Sequence, residues 1–308
     1  MRKSRLKPGN SLLFILMVVL WGSNWSLMKI GLRSVPPIPF ALQRFAISAV
    51  AMLPAFIMLR RRMPRDKRTL AGLMLLCLLF VLIIMSQAIG LTQESSGLGA
   101  VLTYTQPLFV YCLAVPLLEE RITITKIAGI VVGFGGVLVL FLNKTGSVTF
   151  YSALIMLFAA FLWALSVMYY KKYLNHVDPF VTHFLQLAFG VLPLTILSVT
   201  AGNFVFPMDA TYVWLVLYSS VGALAIGNVI WFFLLKEEEA TTLSGSSLII
   251  PVVAMFFGWQ LLGEGLGVES LFGSTLTLIG VGLINLKRRN AKMRETGRWS
   301  AVPDTTVV

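Results

Sequence analysis

Side chains that could hold a small solute occur singly inside long apolar segments of this sequence. Asn24 offers hydrogen-bond donors and an acceptor, and Trp21 and Trp25, one helical turn apart, offer flat apolar walls beside it. Residues of the same kind recur in other apolar segments at Gln87, Tyr104, Asn228 and Trp231. Two roles fit Asn24: it could line a cavity for a solute, or it could bond the backbone of a neighbouring helix.

Ionisable side chains within these segments are few, and each has a structural alternative. All 13 Asp and Glu lie at segment ends, in loops or in the tails, so no carboxylate is available at mid-depth for a proton relay. Glu94 and His183 are the candidates for proton coupling, although His183 also suits an interfacial hydrogen-bonding role. Arg44 and Lys29 must reach outward to water, pair with an acid or face a wet cavity. For both we expect anchoring at the membrane interface.

The motifs of the common enzyme classes are missing from the sequence. It has no zinc-ligand spacing, nucleophile elbow or pair of acids for acid–base catalysis. The GFGG run at 133–136 lies in an apolar segment and lacks the Lys-Ser/Thr of a phosphate-binding loop. Cys77 and Cys112 both lie in apolar segments, which indicates neither a disulfide framework nor a thiolate metal site. We therefore expect no enzyme activity, cofactor or metal.

The elements that must position these residues are segments long enough to cross a bilayer. Hydrophobic residues make up 57% of the 308-residue chain, charged residues make up 12%, and the mean hydropathy is +0.84. A spanning helix needs about 20 mostly apolar residues. Ten segments meet this condition: 11–32, 38–59, 70–91, 97–118, 122–142, 151–171, 180–200, 211–235, 241–262 and 268–286. The sequence predicts an all-α membrane protein with ten transmembrane helices.

Residues 94–142 and 238–286 follow one pattern at an offset of 144 residues. Identical pairs in this register include Pro107 with Pro251, Glu120 with Glu264, and Gly136 with Gly280. We therefore predict two five-helix repeats, 11–142 and 151–286. They lie between an N-terminal tail at 1–10 and a basic C-terminal tail at 287–308. Because each repeat crosses the membrane an odd number of times, the second must be inserted upside down.

The distribution of basic residues follows this topology. Nearly all of the 25 Lys and Arg fall on one side when the segments alternate from a cytoplasmic N-terminus. Loop 60–69 is rich in Lys and Arg, whereas its counterpart at 201–210 has none, as inversion requires. The net charge of +12 thus reflects the positive-inside rule and not nucleic-acid binding. We expect an integral protein of the cell membrane with both termini in the cytoplasm.

Prolines, glycines and two glutamates indicate how the helices are shaped and packed. Pro107 and Pro251 each remove a backbone hydrogen bond, which predicts helix kinks that are either mobile or fixed. Glycines in 122–142 and 268–286 form small-residue faces, which predict close packing within the chain or between subunits. We expect Glu120 and Glu264, at segment ends, to cap helices or fix loops.

Three stretches resemble the EamA family of the drug/metabolite transporter superfamily: WGSNWSLMKIGL at 21–32, TYTQPLFVYCLAVPLLEERIT at 103–123 and IIPVVAMFFGWQLLGEGL at 249–266. The resemblance implies a five-plus-five inverted fold around a central cavity, lined chiefly by the first, third, fourth, sixth, eighth and ninth spans. It also implies transport of small organic solutes, with amino acids and related metabolites as exported substrates. Before the second Glu of PLLEER, where the family commonly has Gly, this chain has Glu119. The difference affects a loop.

On this resemblance, eight residues are expected to bind substrate: Asn24, Trp25, Gln87, Tyr104, Trp163, Tyr169, Asn228 and Trp231. The predicted cavity has no fixed charge, which favours a neutral or zwitterionic solute. A nucleotide-sugar or sugar-phosphate carrier is the first alternative, and it would need basic residues in the cavity. A membrane-embedded lipid enzyme is the second, and it would need an intramembrane cluster of His, Asp or Glu. The expected partners are a small-molecule substrate and the lipid bilayer, for a monomer or homodimer without nucleic acid.

Overall fold

Helices make up nearly all of the described structure. The computed structural model describes residues 8–60, 63–118, 124–142, 147–202, 205–238, 240–265 and 267–296. The structure is 87% helix, and these ranges contain no strand. A helix satisfies its own backbone hydrogen bonds, which apolar segments require in lipid. The all-α class is confirmed, and Glu120 lies outside the described residues.

The helices follow one another with short connections and are numbered in chain order. Their bounds are α1 (Pro8–Ser34), α2 (Pro37–Met58), α3 (Lys67–Leu91), α4 (Ser96–Thr103), α5 (Gln106–Leu118), α6 (Ile124–Leu142), α7 (Ser147–Tyr169), α8 (Pro179–Thr200), α9 (Ala210–Leu217), α10 (Asn228–Glu237), α11 (Ala240–Ser246), α12 (Ile249–Leu262) and α13 (Val268–Thr296). Two π-helical segments are also present: Tyr170–Leu174 extends α7, and Tyr218–Gly227 joins α9 to α10.

Six stretches of the described chain are long and apolar enough to cross a membrane. They are Asn10–Ser34, Pro37–Met58, Lys67–Leu91, Phe150–Leu174, Pro179–Thr200 and Ala210–Glu237. The other four predicted spans are interrupted or shorter. Predicted span 97–118 is divided into α4 and α5, and predicted span 241–262 into α11 and α12. The apolar parts of α6 and α13 cover Ile127–Val139 and Leu271–Leu283. The count of ten spans stays a prediction.

Helix pairings between the two halves recur with the halves exchanged. α1 packs on α12, as α7 packs on α5. α3 packs on α7, and α10 with the segment Tyr218–Gly227 packs on α1. Two further contacts join the halves directly, α2 with α8 and α6 with α13. Buried apolar side chains from α1 to α5 and from α7 to α12 form one core that the two halves share. Leu108, Tyr111 and Val281 form a separate, smaller cluster.

α6 and α13 approach each other closely because glycine lies at their contacts. A Cβ on Gly136 would lie 2.5 Å from the backbone nitrogen of Thr277, and a Cβ on Gly280 would collide with the backbone of Gly133. The 144-residue offset relates Gly136 to Gly280, and also Gly133 to Thr277. The small-residue faces predicted for these two segments therefore meet within one chain.

Acidic side chains cap helices at the ends of the bundle. Asp66, Asp178 and Asp209 each accept a hydrogen bond from a backbone N–H in the first turn of α3, α8 and α9. The bond from the Thr69 N–H, 2.7 Å long, holds the pKa of the exposed Asp66 carboxyl below its ordinary value. The contribution of this cap to stability is therefore present above the ordinary pKa and is lost as the pH falls through the lowered pKa.

Glu264 connects the loop before α13 to the start of α4. Both of its carboxylate oxygens lie 2.9 Å from the backbone nitrogen of Ser96, and Oε2 accepts from the Ser96 hydroxyl at 2.7 Å. The Ser96 hydroxyl is also 3.2 Å from the hydroxyl of Ser26 in α1. A carboxylate at a helix N-terminus is favoured by both hydrogen bonding and the helix dipole. Glu264 thus has the capping role that its sequence position indicated.

Replacing Glu264 by Ala is expected to destabilise the fold by about 1.5–3 kcal/mol, because hydrogen bonds to a charged group are lost and the Ser96 donors are left unpaired. The measurement is thermal unfolding of the detergent-solubilised protein followed by circular dichroism. Glu269→Ala is the matched control, since Glu269 is exposed in the first turn of α13. Equal melting temperatures for the two variants would contradict the capping role.

Candidate functional site

A central cavity lies between helices from both halves of the chain. Its walls come from α1, α2, α3 and α7, from the break between α4 and α5, and from Tyr218–Gly227 with α10. It contains about 690 Å³ of space, including its open mouth. The lining residues are Trp21, Asn24, Trp25, Met28, Arg44, Phe80, Ile83, Ile84, Gln87, Tyr104, Trp163, Ser166, Ala223, Leu224, Asn228, Trp231 and Phe232.

The structure brings together most of the residues predicted to bind substrate. Those on the cavity wall are Asn24, Trp25, Gln87, Tyr104, Trp163, Asn228 and Trp231. Tyr169 lies elsewhere, near the end of α7, with its ring centroid 5.2 Å from that of Tyr173. Its hydroxyl is directed at Gly72 of α3, so it packs at a helix contact and not on the cavity. The placement of Tyr169 in the cavity is corrected, and substrate binding by the other residues stays a prediction.

Four aromatic side chains form one continuous surface of the cavity, the aromatic wall: Trp21, Tyr104, Trp163 and Trp231. The Trp163 ring lies at its centre, with its centroid 5.7 Å from that of Trp21, 5.3 Å from that of Tyr104 and 5.4 Å from that of Trp231. Edge-to-face and tilted contacts at these distances are favourable and fix the rings relative to each other. Because two rings come from each half of the chain, the wall depends on how the halves are arranged.

The π-helical segment Tyr218–Gly227 presents backbone carbonyls to side chains of the cavity. Ala223 O accepts a hydrogen bond from Trp21 Nε1 at 3.0 Å, and Leu224 O accepts one from Asn228 Nδ2 at 2.9 Å. Carbonyls become available in this way where the α-helical hydrogen-bond pattern is interrupted, and π-helical turns are frequent at functional sites. The segment therefore fixes the orientation of one aromatic and one amide side chain of the site.

Arg44 lies on the cavity wall and does not reach outward to solvent, as anchoring at the membrane interface would require. The side chain is 2% exposed, and its guanidinium carbon lies 5.7 Å from the centroid of the Phe40 ring. Its Nε and Nη1 atoms are buried without a hydrogen-bond partner. α2 packs on both α8 and Tyr218–Gly227, so this side chain is enclosed by protein. The expected cavity without fixed charge is therefore wrong, because a buried cation lines it.

Lys29 and Glu94 lie near the end of α3 and do not line the cavity. Lys29 Nζ donates to the carbonyl oxygens of Leu91 and Thr92 at 2.8 and 3.0 Å. A cation is favourable at this position because carbonyl groups are unpaired at a helix C-terminus. Glu94, 2% exposed, lies in the turn that follows and interacts electrostatically with Lys29. A coupling role for Glu94 stays a prediction.

His183 is buried directly behind the cavity wall. Its Nδ1 lies 3.2 Å from Gln186 Oε1, and its Nε2 lies 2.7 Å from Leu224 O. The Gln186 amide nitrogen donates to Leu76 O, so both neighbours of the imidazole are oxygen acceptors. A neutral imidazole donates one N–H, whereas the protonated ring donates two. The imidazole is thus held between a side-chain amide and a backbone carbonyl, and the coupling role of His183 stays a prediction.

The two predicted proline kinks lie just after breaks in the helices. Tyr104 and Thr105 separate α4 from α5, and Pro107 is the second residue of α5. Pro251 is the third residue of α12, which follows a similar break after α11. Proline suits the first turn of a helix because the N–H it lacks would have no helical acceptor there. The first break places Tyr104 on the aromatic wall. Motion at either break stays a prediction.

Sequence reasoning missed several residues of the cavity: Met28, Arg44, Phe80, Ile83, Ile84, Ser166, Ala223, Leu224 and Phe232. The apolar members carry no signal, because a Leu or Ile that faces lipid is identical in sequence to one that faces a cavity. Ser166 could have been found, since it lies three residues after Trp163 on the same helical face. The sequence indicates that the charged side chain of Arg44 must avoid lipid. Only the packing of α2 shows that it does so by facing the cavity.

Two segments that together cover almost the whole chain match one family model. Residues 10–142 and residues 150–286 each match the EamA-like transporter family. The chain belongs to this family. With six membrane-length apolar helices in its described part, it is an integral membrane protein of a transporter family.

Two relatives of this EamA-like chain are named as transporters, and the similarity covers nearly their full length. It is similar to the "Uncharacterized transporter YoaV" of Bacillus subtilis (strain 168), with 29% identity over 278 residues, 87% of this chain and 93% of the relative. It is also similar to the "Probable amino-acid metabolite efflux pump" of Escherichia coli (strain K12), with 27% identity over 295 residues, 92% of this chain and 97% of the relative. A solved crystal structure superposes with a TM-score of 0.69 at 16% identity, over 93% of this chain and 100% of the other, which shows a shared fold.

Proposed function

We propose that this protein is a secondary transporter that exports amino acids or related small metabolites through its central cavity. The observation that carries the proposal is the cavity itself, which both halves of the chain build and which the aromatic wall lines. Flat apolar faces with a few polar groups are the composition expected for a small-molecule site. The four tryptophans of α1, α7 and α10 suit an apolar side chain, and the amides of Asn24, Gln87 and Asn228 suit the polar end of such a solute.

We propose alternating access as the mechanism, with ten spans arranged as two inverted five-helix repeats. Three observations support it: the 144-residue sequence offset, the helix pairings that recur with the two halves exchanged, and the family match that occurs once in each half. A cavity at the junction of two such repeats opens to one side and then the other when the repeats rock against each other. The helix breaks before Pro107 and Pro251 are the positions at which we propose bending.

The substrate class and the direction of transport rest on the relatives and on the charge of the cavity. The relatives in Escherichia coli and Salmonella typhimurium are both named "Probable amino-acid metabolite efflux pump". The alternative, a carrier of nucleotide sugars or sugar phosphates, would need several basic groups on the cavity. Among the described residues Arg44 is the one cation that lines it, because Lys29 is bonded to carbonyls elsewhere. A solute with one negative group is therefore favoured over a phosphorylated sugar.

We further propose that the protein lies in the cell membrane as a monomer or homodimer with both termini in the cytoplasm. The positive-inside rule supports this orientation, since Lys and Arg concentrate in loop 60–69 and near both ends of the chain. The surrounding lipid and a small-molecule substrate are the proposed partners. The six membrane-length helices and the many exposed apolar side chains on them support the contact with lipid.

Transport by the purified protein in liposomes tests the proposed function. The liposomes are loaded with a mixed pool of amino acids and other metabolites, and loss of each compound is followed by mass spectrometry, with and without a pH gradient. We expect selective loss of an amino acid or related metabolite relative to protein-free liposomes. Retention of the whole pool by protein that unfolds cooperatively would contradict the proposal. Dependence on the pH gradient would support coupling through His183 or Glu94.

A further inference from the structure

We propose that Arg44 is the anion-binding residue of the cavity and that the transported solute carries a carboxylate which this guanidinium binds. The inference rests on the proposed transport function and names the chemistry of its substrate. The cavity thus offers one fixed positive charge, the guanidinium of Arg44, to the carboxylate of the solute. Arg44 is buried on the cavity wall and has two nitrogens without a hydrogen-bond partner.

The guanidinium of Arg44 is enclosed by protein but is not neutralised by it. The residue is 2% exposed, and its Nε and Nη1 have no hydrogen-bond partner. Among the described residues, no carboxylate forms an ion pair with it. Buried charges in proteins are normally paired and hydrogen-bonded, because removal from water is costly. A cation left unpaired on the wall of a cavity is therefore a site for a ligand that supplies the missing acceptor.

The surroundings of Arg44 hold the cation in place without satisfying its nitrogens. The ring of Phe40 lies one turn earlier on α2, with its centroid 5.7 Å from the guanidinium carbon, and gives a cation–π contact. The hydroxyl of Ser48, one turn later, is directed to the carbonyls of Arg44 and Ser220 at 2.6 and 2.8 Å and not to the guanidinium. Nε and Nη1 thus lack acceptors, and a carboxylate is an acceptor to which arginine N–H groups donate strong, charge-assisted hydrogen bonds.

A second unpaired group on the cavity indicates what else the solute carries. Asn24 Oδ1 is a buried acceptor without a hydrogen-bond partner, and Asn24 lines the same cavity as Arg44. An acceptor oxygen suits an ammonium group, just as the guanidinium suits a carboxylate. The aromatic wall adds flat faces for an apolar side chain. Together the three features fit a zwitterionic solute with an apolar or aromatic side chain.

Paired ligands that differ only in the carboxylate test this inference directly. Purified protein in detergent is titrated with apolar and aromatic amino acids other than tryptophan and with the carboxamide of each, and binding is followed by intrinsic tryptophan fluorescence. We expect at least one amino acid to bind about tenfold more tightly than its carboxamide, because the carboxamide cannot form the charge-assisted pair. In Arg44→Gln we expect this preference to fall to about twofold or less, and in Arg44→Lys to be intermediate.

Arg33→Gln is the matched control, because Arg33 is exposed and its loss removes the same charge outside the cavity. It should keep the wild-type preference. Equal binding of acid and carboxamide by the wild-type protein would overturn the inference, as would an unchanged preference in folded Arg44→Gln. Tighter binding of inorganic phosphate than of any amino acid would overturn the carboxylate assignment. If Arg44→Gln does not unfold cooperatively, the inference is tested by the wild-type protein alone. A preference for the acid over its carboxamide then supports it, and equal binding overturns it.

Failure of this inference is distinguishable from failure of the proposed function. Counterflow in liposomes of solutes that lack a carboxylate, with equal rates in the wild type and Arg44→Gln, would leave a transporter whose substrate does not use Arg44. Absence of counterflow with a wild-type preference for the acid would leave a carboxylate-binding protein that does not transport. The predicted result is counterflow of an amino acid that Arg44→Gln slows about tenfold or more while Arg33→Gln does not.

Discussion

Gly280→Ala is expected to destabilise the protein by about 3 kcal/mol, the upper end for overpacking of a core, although alanine is the better helix former. The reason is the contact between α6 and α13. The added methyl would collide with the backbone of Gly133 and lie 2.6 Å from the carbonyl oxygen of Gly129. Backbone atoms in a helix cannot rotate away as a side chain does, so the two helices must separate. Thermal unfolding in detergent measures the effect.

Gly282→Ala, two residues along the same helix, is the control for Gly280→Ala. A Cβ on Gly282 would meet nothing within 4 Å, so only helix propensity acts there. We expect this variant to melt at or slightly above the wild-type temperature, since alanine favours a helix over glycine by about 1 kcal/mol. Indistinguishable melting temperatures for the two variants would contradict the packing of α6 on α13 described above.

Trp163→Ala is expected to lower the transport rate by about tenfold or more while the protein still folds. Trp163 is the one ring that contacts all three other members of the aromatic wall. Each aromatic contact of this kind contributes about 0.5–1.5 kcal/mol, and about 1.4 kcal/mol corresponds to a factor of ten in rate. Liposome counterflow of the solute found in the metabolite screen measures the effect. Trp163→Phe, which keeps an aromatic face, should retain most of the rate.

Trp259→Ala is the matched control for Trp163→Ala, because Trp259 is 62% exposed on α12 and does not line the cavity. We expect its transport rate to equal that of the wild type. Melting temperature and the amount of protein in the liposomes are compared for both variants, so that a folding defect is not counted as a transport defect. A Trp163→Ala rate equal to that of Trp259→Ala would show that the aromatic wall is not part of the transport path.

The helical class of the fold could be predicted from the sequence because lipid leaves few alternatives. Long apolar segments must satisfy their own backbone groups, so each becomes a helix. The interruptions were harder to predict. Pro107 and Pro251 indicated irregular backbone, but proline in an apolar segment is compatible with a kink inside one helix and with a break between two. The π-helical segment Tyr218–Gly227 has no comparable sequence signal, because its residues are ordinary helix-forming and small residues.

The candidate site could be predicted only where a residue is unusual for its surroundings. Asn24, Trp163 and Asn228 stand out against apolar neighbours, and they line the cavity. Tyr169 stood out equally and lies at a contact with α3, because the side of α7 that faces the cavity depends on packing. Arg44 was assigned to the interface because long basic side chains near a segment end usually reach water. The packing of α2 against α8 and Tyr218–Gly227 encloses this side chain instead, and sequence spacing alone does not show that packing.

We expect the transported solute to occupy the cavity that the aromatic wall lines, and cysteine labelling at Ser166 measures this occupancy. Ser166 lines the cavity on α7, and the native Cys77 and Cys112 are first replaced by Ser. Labelling of Ser166→Cys with a water-soluble maleimide is timed with and without the solute that the liposome screen identifies. We expect the solute to slow the labelling of Ser166→Cys increasingly with its concentration, until the cavity is saturated. A labelling rate that saturating solute leaves unchanged would contradict it.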